Sequence, residues 1–180
     1  MAKLGFGQDV GQVIQIAYTV PDIRAAIDWW TRDGKTGPFF LLERFGDPGQ
    51  KYRGESSKAA VSIAMGFAGH MMIELIEPTD ELPSVYRETI SRRGHGFHHV
   101  GIAVADTEKE RHGYEGKGYH VAFSTPVPSG GTVYYMGDGP NAPGFIELIP
   151  ATKGMDDLFT KYWRASVDWD GKNPVRPFEV

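Results

Sequence analysis

The 180-residue chain contains no cysteine, which excludes disulfide bonds, thiolate metal sites and cysteine nucleophiles. It also lacks any apolar run close to the roughly 18 residues needed to span a bilayer. No long basic run is present, so nucleic acid and anionic membrane are poor candidates as partners. Residues 1–11 contain no apolar segment typical of a secretory signal, and we expect a cytoplasmic location.

The composition is typical of a globular protein, with 41% hydrophobic and 23% charged residues and a formal net charge of −4. The 23 glycines and 12 prolines favour many short elements joined by turns. The length is that of a single domain, which we expect to span residues 1–180.

An internal repeat organises the chain. Residues 15–22 (QIAYTVPD) resemble residues 99–106 (HVGIAVAD), and residues 72–76 (MIELI) resemble residues 145–149 (FIELI). The first pair reads as a β-strand followed by an Asp suited to begin a helix, and the second pair reads as a strand with one carboxylate. Because the order is the same in both halves, the repeat predicts two duplicated supersecondary units.

The hydrophobic pattern predicts two βαβββ modules, an α+β fold. The modules are expected over residues 12–80 and 96–150, joined by a helix at about 82–92. A C-terminal helix and tail are expected over 154–180, with an irregular tail from 166. Residues 46–57, rich in glycine and charge, predict an exposed loop and a candidate lid.

Strand alternation places four polar side chains on the faces that do not pack against helices. They are Gln15, Glu74, His99 and Glu147. Buried carboxylates and imidazoles need partners, and one divalent metal would satisfy all four. Three oxygens and one nitrogen suit Zn²⁺, Mn²⁺, Co²⁺ or Ni²⁺ with an open coordination position. Taken singly, each residue could also be a buried residue with its polar atoms hydrogen-bonded, or a residue on a solvent-exposed face.

The same alternation predicts that His98 points away from this face, because it has the opposite parity to His99. Six aromatic residues are candidates to line the ligand site: Phe39, Phe40, Tyr52, Phe123, Tyr134 and Tyr135. Aromatic side chains in that number suit an apolar or aromatic ligand, although core packing is the stronger explanation for each one taken singly. Lys51 and Arg53 would suit an anionic group such as a CoA phosphate, or simply a solvated loop.

The two strand–Asp segments and the two I-E-L-I segments resemble those of the vicinal oxygen chelate superfamily. That superfamily includes glyoxalase I, methylmalonyl-CoA epimerase, extradiol dioxygenases and the fosfomycin and bleomycin resistance proteins. The resemblance covers about residues 12–150 and implies paired βαβββ modules that form a cupped mixed sheet with helices on its convex side. It also implies a metal in the cup, held by Gln15, Glu74, His99 and Glu147.

The order Gln–Glu–His–Glu is similar to the zinc ligands of glyoxalase I, and the doubled His98-His99 resembles the epimerase branch. The resemblance implies a metal-dependent lyase or isomerase that stabilises an enediolate or enolate and moves a proton next to a carbonyl. The base would be Glu147 first and Glu74 second. The cofactor would be one divalent ion, with Zn first and Mn, Co, Ni or Fe as alternatives.

Two other functions remain open from the sequence. One is a metal-free small-molecule binding or resistance-type protein that uses the same cup. The other is an extradiol-type dioxygenase, which needs two His and one carboxylate around Fe²⁺, whereas the first position here is Gln15. The expected partner in each case is a small molecule, either apolar or aromatic or an acyl-CoA. A homodimer is also expected from the resemblance.

Overall fold

The computed structural model describes residues 2–139 and 141–179. Met1, Pro140 and Val180, which fall within the predicted spans 1–180, 96–150 and 154–180, lie outside the described residues. The strands are β1 (Val13–Thr19), β2 (Phe39–Phe45), β3 (Lys51–Tyr52), β4 (Glu55–Ser56), β5 (Val61–Ala68), β6 (Met71–Pro78), β7 (Gly96–Val104), β8 (His120–Pro126), β9 (Thr132–Gly137), β10 (Phe145–Pro150) and β11 (Val175–Pro177). The helices are α1 (Ile23–Arg32), α2 (Val85–Arg93), α3 (Thr107–Glu115) and α4 (Lys153–Ser166).

The strands form one curved mixed sheet in the order β11-β2-β5-β6-β1-β7-β10-β9-β8-β3-β4. In each half, the strand before the helix pairs in parallel with the last strand of the same half, β1 with β6 and β7 with β10. The two halves meet through the antiparallel pair β1 and β7 at the centre. The predicted α+β fold, with two βαβββ series in a cupped mixed sheet, is therefore confirmed.

Helices α1 and α3 cover the convex face of the sheet. The Asp that ends each repeated segment caps the following helix: Asp22 accepts a hydrogen bond from the Ala25 N–H, and Asp106 accepts one from the Lys109 N–H. Under α1, a cluster of buried side chains joins Ile27 to Leu75 and other apolar residues of β2, β5 and β6. These contacts leave the opposite residues of the same strands directed into the cup.

Helices α2 and α4 pack on the concave side, a placement that the repeat does not predict. Tyr86 of α2 belongs to the same buried cluster as Phe123 and Tyr135 of the second module. Tyr162 of α4 stacks on Phe40 of β2 with ring centroids 3.7 Å apart. The two helices therefore close the concave side around an interior space.

Two segments predicted as irregular form strands. Within residues 46–57, β3 and β4 form a hairpin, and Tyr52 pairs with Phe123 on β8 of the other module. Arg53 fixes this hairpin, donating hydrogen bonds to Glu88 of α2 (2.8 Å) and to Asp138 after β9 (2.7 Å). Residues 46–57 thus form a hairpin along the edge of the sheet and not the expected exposed loop. We term this segment the strap.

Within the predicted irregular tail, β11 pairs in parallel with β2. Each of these short strands adds to an edge of the sheet and depends on pairing with residues distant in the chain. Of the helices in the described part of the chain, none combines the length and the hydropathy that crossing a membrane requires.

Candidate metal centre

The predicted ligand residues occupy related positions on the four central strands. Glu74 lies in register with Ala17 on β1, and Ala17 pairs with His99 on β7. Gln15 pairs with Gly101, which in turn pairs with Glu147 on β10. Gln15 on β1 therefore corresponds to His99 on β7, and Glu74 corresponds to Glu147. The internal repeat thus becomes a near-twofold arrangement of side chains.

Three of these side chains converge. His99 Nε2 lies 3.3 Å from Glu74 Oε2 and 3.1 Å from Glu147 Oε2. One ligand atom from each residue lies within 4.8 Å of the other two. All three residues are buried, yet none of these three atoms has a hydrogen-bond partner among the described residues. Buried polar atoms without partners are costly, so their convergence indicates a site for a cation.

The donor set fits a divalent metal ion. Two carboxylates offset the charge of one 2+ ion, and an imidazole nitrogen with carboxylate oxygens suits zinc and its first-row neighbours. Gln15 is buried on the adjacent strand and lines the same cavity, where its amide oxygen is available as a further neutral donor. Gly101 leaves the room for it, since a Cβ at Gly101 would lie 2.9 Å from Gln15 Cβ.

His98 lies beside His99 on the concave side, so the prediction that it points away is wrong. The pairing of β1 with β7 explains this, because Ala17 pairs with His99 whereas Tyr18 pairs with Phe97. One extra residue, His98, is accommodated at this register shift. A β-bulge of this kind breaks the alternation of side chains and redirects the bulged residue.

The hydrogen bonds of His98 define the state of His99. His98 Nε2 lies 3.4 Å from the Val85 carbonyl, which can only accept, so this nitrogen carries the proton. His98 Nδ1 is then an acceptor for the Nδ1–H of His99, at 2.9 Å. Burial lowers the pKa of His98 well below its ordinary value, which keeps the ring neutral. The resulting chain leaves Nε2 of His99 directed toward the two glutamates.

Burial and the closeness of the three side chains shift the pKa values of His99 and Glu147. Burial lowers the pKa of His99, but Glu147 and Glu74 more than offset this and raise it to about 9. Burial raises the pKa of Glu147, although the neighbouring imidazole opposes this. Without a metal, a proton on His99 is thus stabilised between the carboxylates. Metal binding would have to release that proton.

An interior cavity of about 90 Å³ opens beside the cluster, and Gln15, Glu74 and Glu147 form its polar end. Most of the remaining wall is apolar, contributed by both modules, by α4 and by the tail. The wall includes Leu42, Phe45, Val61, Ile63, Met65, Phe123, Val133, Ile149, Leu158, Phe159 and Phe178. A polar cluster at the end of an apolar cavity is the usual form of a small-molecule site.

Of the six aromatic residues predicted to line the site, the structure brings Phe123 and Tyr135 to the cavity. The prediction is wrong for Phe39 and Tyr134, which lie on the convex face. Phe39 packs in the cluster beneath α1, and Tyr134 donates a hydrogen bond to Glu108 of α3. Adjacent residues of a strand face opposite sides, so Tyr134 and Tyr135 cannot both reach the cup.

The other two predicted aromatic residues are not part of the cavity wall either. Phe40 is on the concave side but is covered by Tyr162. Tyr52 packs against the cluster below α2, and its hydroxyl donates to Glu88 at 2.8 Å.

Sequence reasoning also missed several residues that line the cavity, among them Tyr86 and Gln50. Tyr86 reaches the cavity from α2, stacks on His98 with centroids 5.0 Å apart, and places its hydroxyl 3.4 Å from that of Tyr135. Burial raises the pKa of both tyrosines far above the ordinary value, so both stay protonated. Gln50, from the strap, also lines the cavity. Tyr86 and Gln50 reach the cavity only because α2 and the strap pack against the sheet. No local sequence pattern around either residue predicts this position.

The fold and the site define a class of protein: paired βαβββ modules around a buried carboxylate–imidazole cluster. The model of the Glyoxalase/Bleomycin resistance protein/Dioxygenase superfamily matches residues 14–135, and the chain belongs to that superfamily. This confirms the resemblance drawn from the repeated motifs. No curated protein is similar enough in sequence to match the chain.

Several solved structures share the fold. A hypothetical protein BH1468 from Bacillus halodurans C-125 is 23% identical with a TM-score of 0.59, covering 79% of this chain and 95% of its own. The methylmalonyl-CoA epimerase from Mycobacterium tuberculosis is 16% identical with a TM-score of 0.58, covering 82% and 93% respectively. A variant of the Streptomyces coelicolor methylmalonyl-CoA epimerase, in complex with 2-nitronate-propionyl-CoA, is 16% identical with a TM-score of 0.56, covering 81% and 97%. At these identities the likeness concerns the fold alone.

Proposed function

We propose that this protein is a metal-dependent lyase or isomerase that moves a proton on a carbon next to a carbonyl group. The observation that carries the proposal is the convergence of Glu74 Oε2, His99 Nε2 and Glu147 Oε2, which are buried and have no hydrogen-bond partner in the described part of the chain. These residues would hold one divalent ion, with Gln15 as a fourth donor. Zn is the first candidate, and Mn, Co, Ni and Fe are alternatives.

When bound, the ion would supply Lewis-acid stabilisation of the oxyanion formed as the proton leaves the adjacent carbon. Glu147 is our first candidate to take that proton, because its side chain lines the cavity and is slightly more exposed than that of Glu74, 9% against 5%. Glu74 is the second candidate for this role. The mostly apolar wall lowers the local polarity, which strengthens the electrostatic interactions within the site.

A metal-free binding protein is the second candidate function, and one observation favours it. His99 lies between the two carboxylates, which raise its pKa to about 9, so a protonated imidazole offsets one of the two carboxylate charges without an ion. Geometry favours the metal, because Nε2 makes no hydrogen bond to either glutamate. The donor set is less suited to a dioxygenase, since Nδ1 of the second histidine, His98, faces His99.

The test is proton exchange in heavy water, followed by NMR, with α-hydroxycarbonyl compounds and acyl-CoA thioesters as trial substrates. The zinc-loaded wild type is expected to exchange the proton next to the carbonyl of at least one trial compound. Glu147→Gln is expected to reduce that rate by about 10²–10⁴-fold, the usual contribution of a general base. The exposed carboxylate variant Glu43→Gln serves as the control and is expected to exchange at the wild-type rate. Equal exchange by the metal-free and zinc-loaded forms would overturn the proposal.

A further inference from the structure

The C-terminal helix and tail complete the wall of the cavity. Leu158 and Phe159 reach it from α4, and Phe178 reaches it from the residue after β11. All three lie beyond residue 135, where the match to the superfamily model ends. We term this C-terminal segment, which supplies the wall at this end, the cap (residues 153–179).

The tail is held firmly enough to form a wall. The Phe178 N–H donates a hydrogen bond to the Leu41 carbonyl at 3.1 Å, which continues the pairing of β11 with β2. The Phe178 ring meets Tyr162 of α4 edge-on, with centroids 5.8 Å apart. Tyr162 is in turn stacked on Phe40. The cap is thus joined to the sheet both by backbone pairing and by a row of aromatic rings.

The cavity that the cap borders is small. Its volume is about 90 Å³. A dry cavity that binds benzene is larger, about 150 Å³. No lysine or arginine is among the described residues that line it. An anionic group would lose its hydration without gaining an opposite charge, which is strongly unfavourable.

We propose that the cap restricts the site to small, uncharged aliphatic substrates, with Phe178 as the residue that limits their size. The inference rests on the proposed metal-dependent function and narrows its substrate class. The polar end of the cavity would take the two oxygens of such a substrate, and the apolar end would take a short carbon chain. A bulky aromatic group or a chain ending in a carboxylate is excluded.

Hydroxamates test this directly, because each presents two neighbouring oxygens to a metal and differs only in its tail. Affinities of the zinc-loaded protein are measured calorimetrically for acetohydroxamate, butyrohydroxamate, benzohydroxamate and succinomonohydroxamate. Butyrohydroxamate is expected to bind roughly fifteenfold tighter than acetohydroxamate, at about fourfold for each buried methylene. Succinomonohydroxamate, whose tail ends in a carboxylate, is expected to bind at least tenfold weaker than butyrohydroxamate.

Phe178→Ala should then admit benzohydroxamate, raising its affinity at least tenfold relative to acetohydroxamate. Val175→Ala is the matched control, since Val175 is exposed on the same tail and is not part of the cavity wall. Thermal melts confirm that each variant is folded. If Phe178→Ala does not fold, Phe178→Leu replaces it, with a smaller gain in the same direction expected.

Different results would overturn the proposed metal-dependent function and the proposed role of the cap. A wild-type protein that takes up no zinc would overturn the proposed function. Zinc uptake with equal affinity for all four hydroxamates would overturn the role of the cap alone. An unchanged preference in Phe178→Ala, or tighter binding of propionyl-CoA than of butyrohydroxamate, would also overturn it.

Discussion

Replacing His98 with Phe should weaken metal binding without removing any ligand. Phe keeps a ring of similar size, so the stacking on Tyr86 and the buried volume are preserved. It removes the Nδ1 acceptor that lies 2.9 Å from Nδ1 of His99. His99 then has a buried N–H with no partner, and its ring is no longer fixed in the orientation that presents Nε2 to Glu74 and Glu147.

The size of the effect on zinc affinity follows from the lost hydrogen bond between His98 and His99, whereas the bond to the Val85 carbonyl, also lost, does not involve His99. Leaving a buried donor unsatisfied costs about 1–3 kcal/mol. Loss of a residue that orients a metal-bound histidine typically lowers metal affinity by about 10–100-fold. At about 1.4 kcal/mol for each factor of ten, the two estimates agree. We therefore expect zinc affinity to fall by about 10–100-fold in His98→Phe.

Competition with a chromophoric zinc chelator measures this affinity. His98→Gln is expected to recover part of the loss, because its amide oxygen can accept the same hydrogen bond. His120→Phe, at an exposed position on β8, is the control and should bind zinc like the wild type. NMR of the imidazole nitrogens should show the proton on Nδ1 of His99 in the zinc-loaded wild type. Wild-type zinc affinity in His98→Phe would refute the reasoning.

Three further predictions concern other parts of the molecule. Gln15→Ala should lower zinc affinity by less than loss of either carboxylate does, because a neutral amide brings no charge to the ion; the same chelator competition measures it. A hydrogen bond from Arg53 lowers the pKa of Asp138, so its stabilisation is present above the unfolded-state pKa of about 3.9 and is lost as pH falls through the lower folded value. Thermal melts of Arg53→Met should therefore approach those of the wild type as pH falls from about 5 to 3, and a constant gap would contradict this. Ile27→Ala, at a site 1% exposed, should cost about 2–5 kcal/mol in urea unfolding, whereas Trp29→Ala, 52% exposed on the same helix, should change stability by less than about 0.5 kcal/mol.

The shared location of the four candidate ligands could be predicted because it depends on local rules. Strand alternation fixes which residues share a face, and the repeat shows that polar residues recur at matched places on those faces. The parallel pairing within each half then brings Glu74 next to β1 and Glu147 next to β7. Gln15, Glu74 and Glu147 accordingly line one cavity, with His99 at the centre of the cluster.

The rest of the site depends on features that local patterns do not encode. The bulge at His98 breaks the alternation on which its predicted direction relied. Tyr86 and Phe178 reach the cavity only because α2 docks on the concave side and β11 pairs with a strand far away in the chain. Phe39 was predicted to line the site but packs beneath α1. Residue type alone could not separate the two, because an aromatic residue in a strand fits the helix-facing core as well as a ligand site.

The central claim is that Glu74, His99 and Glu147 hold a metal ion. The most direct test is elemental mass spectrometry of the protein purified without chelator, beside Glu147→Ala and the exposed control Glu43→Ala. The account predicts about one equivalent of a divalent metal in the wild type and the control, and its loss in Glu147→Ala. No metal in the wild type, with none taken up on incubation with zinc, would contradict it and favour a metal-free binding cavity.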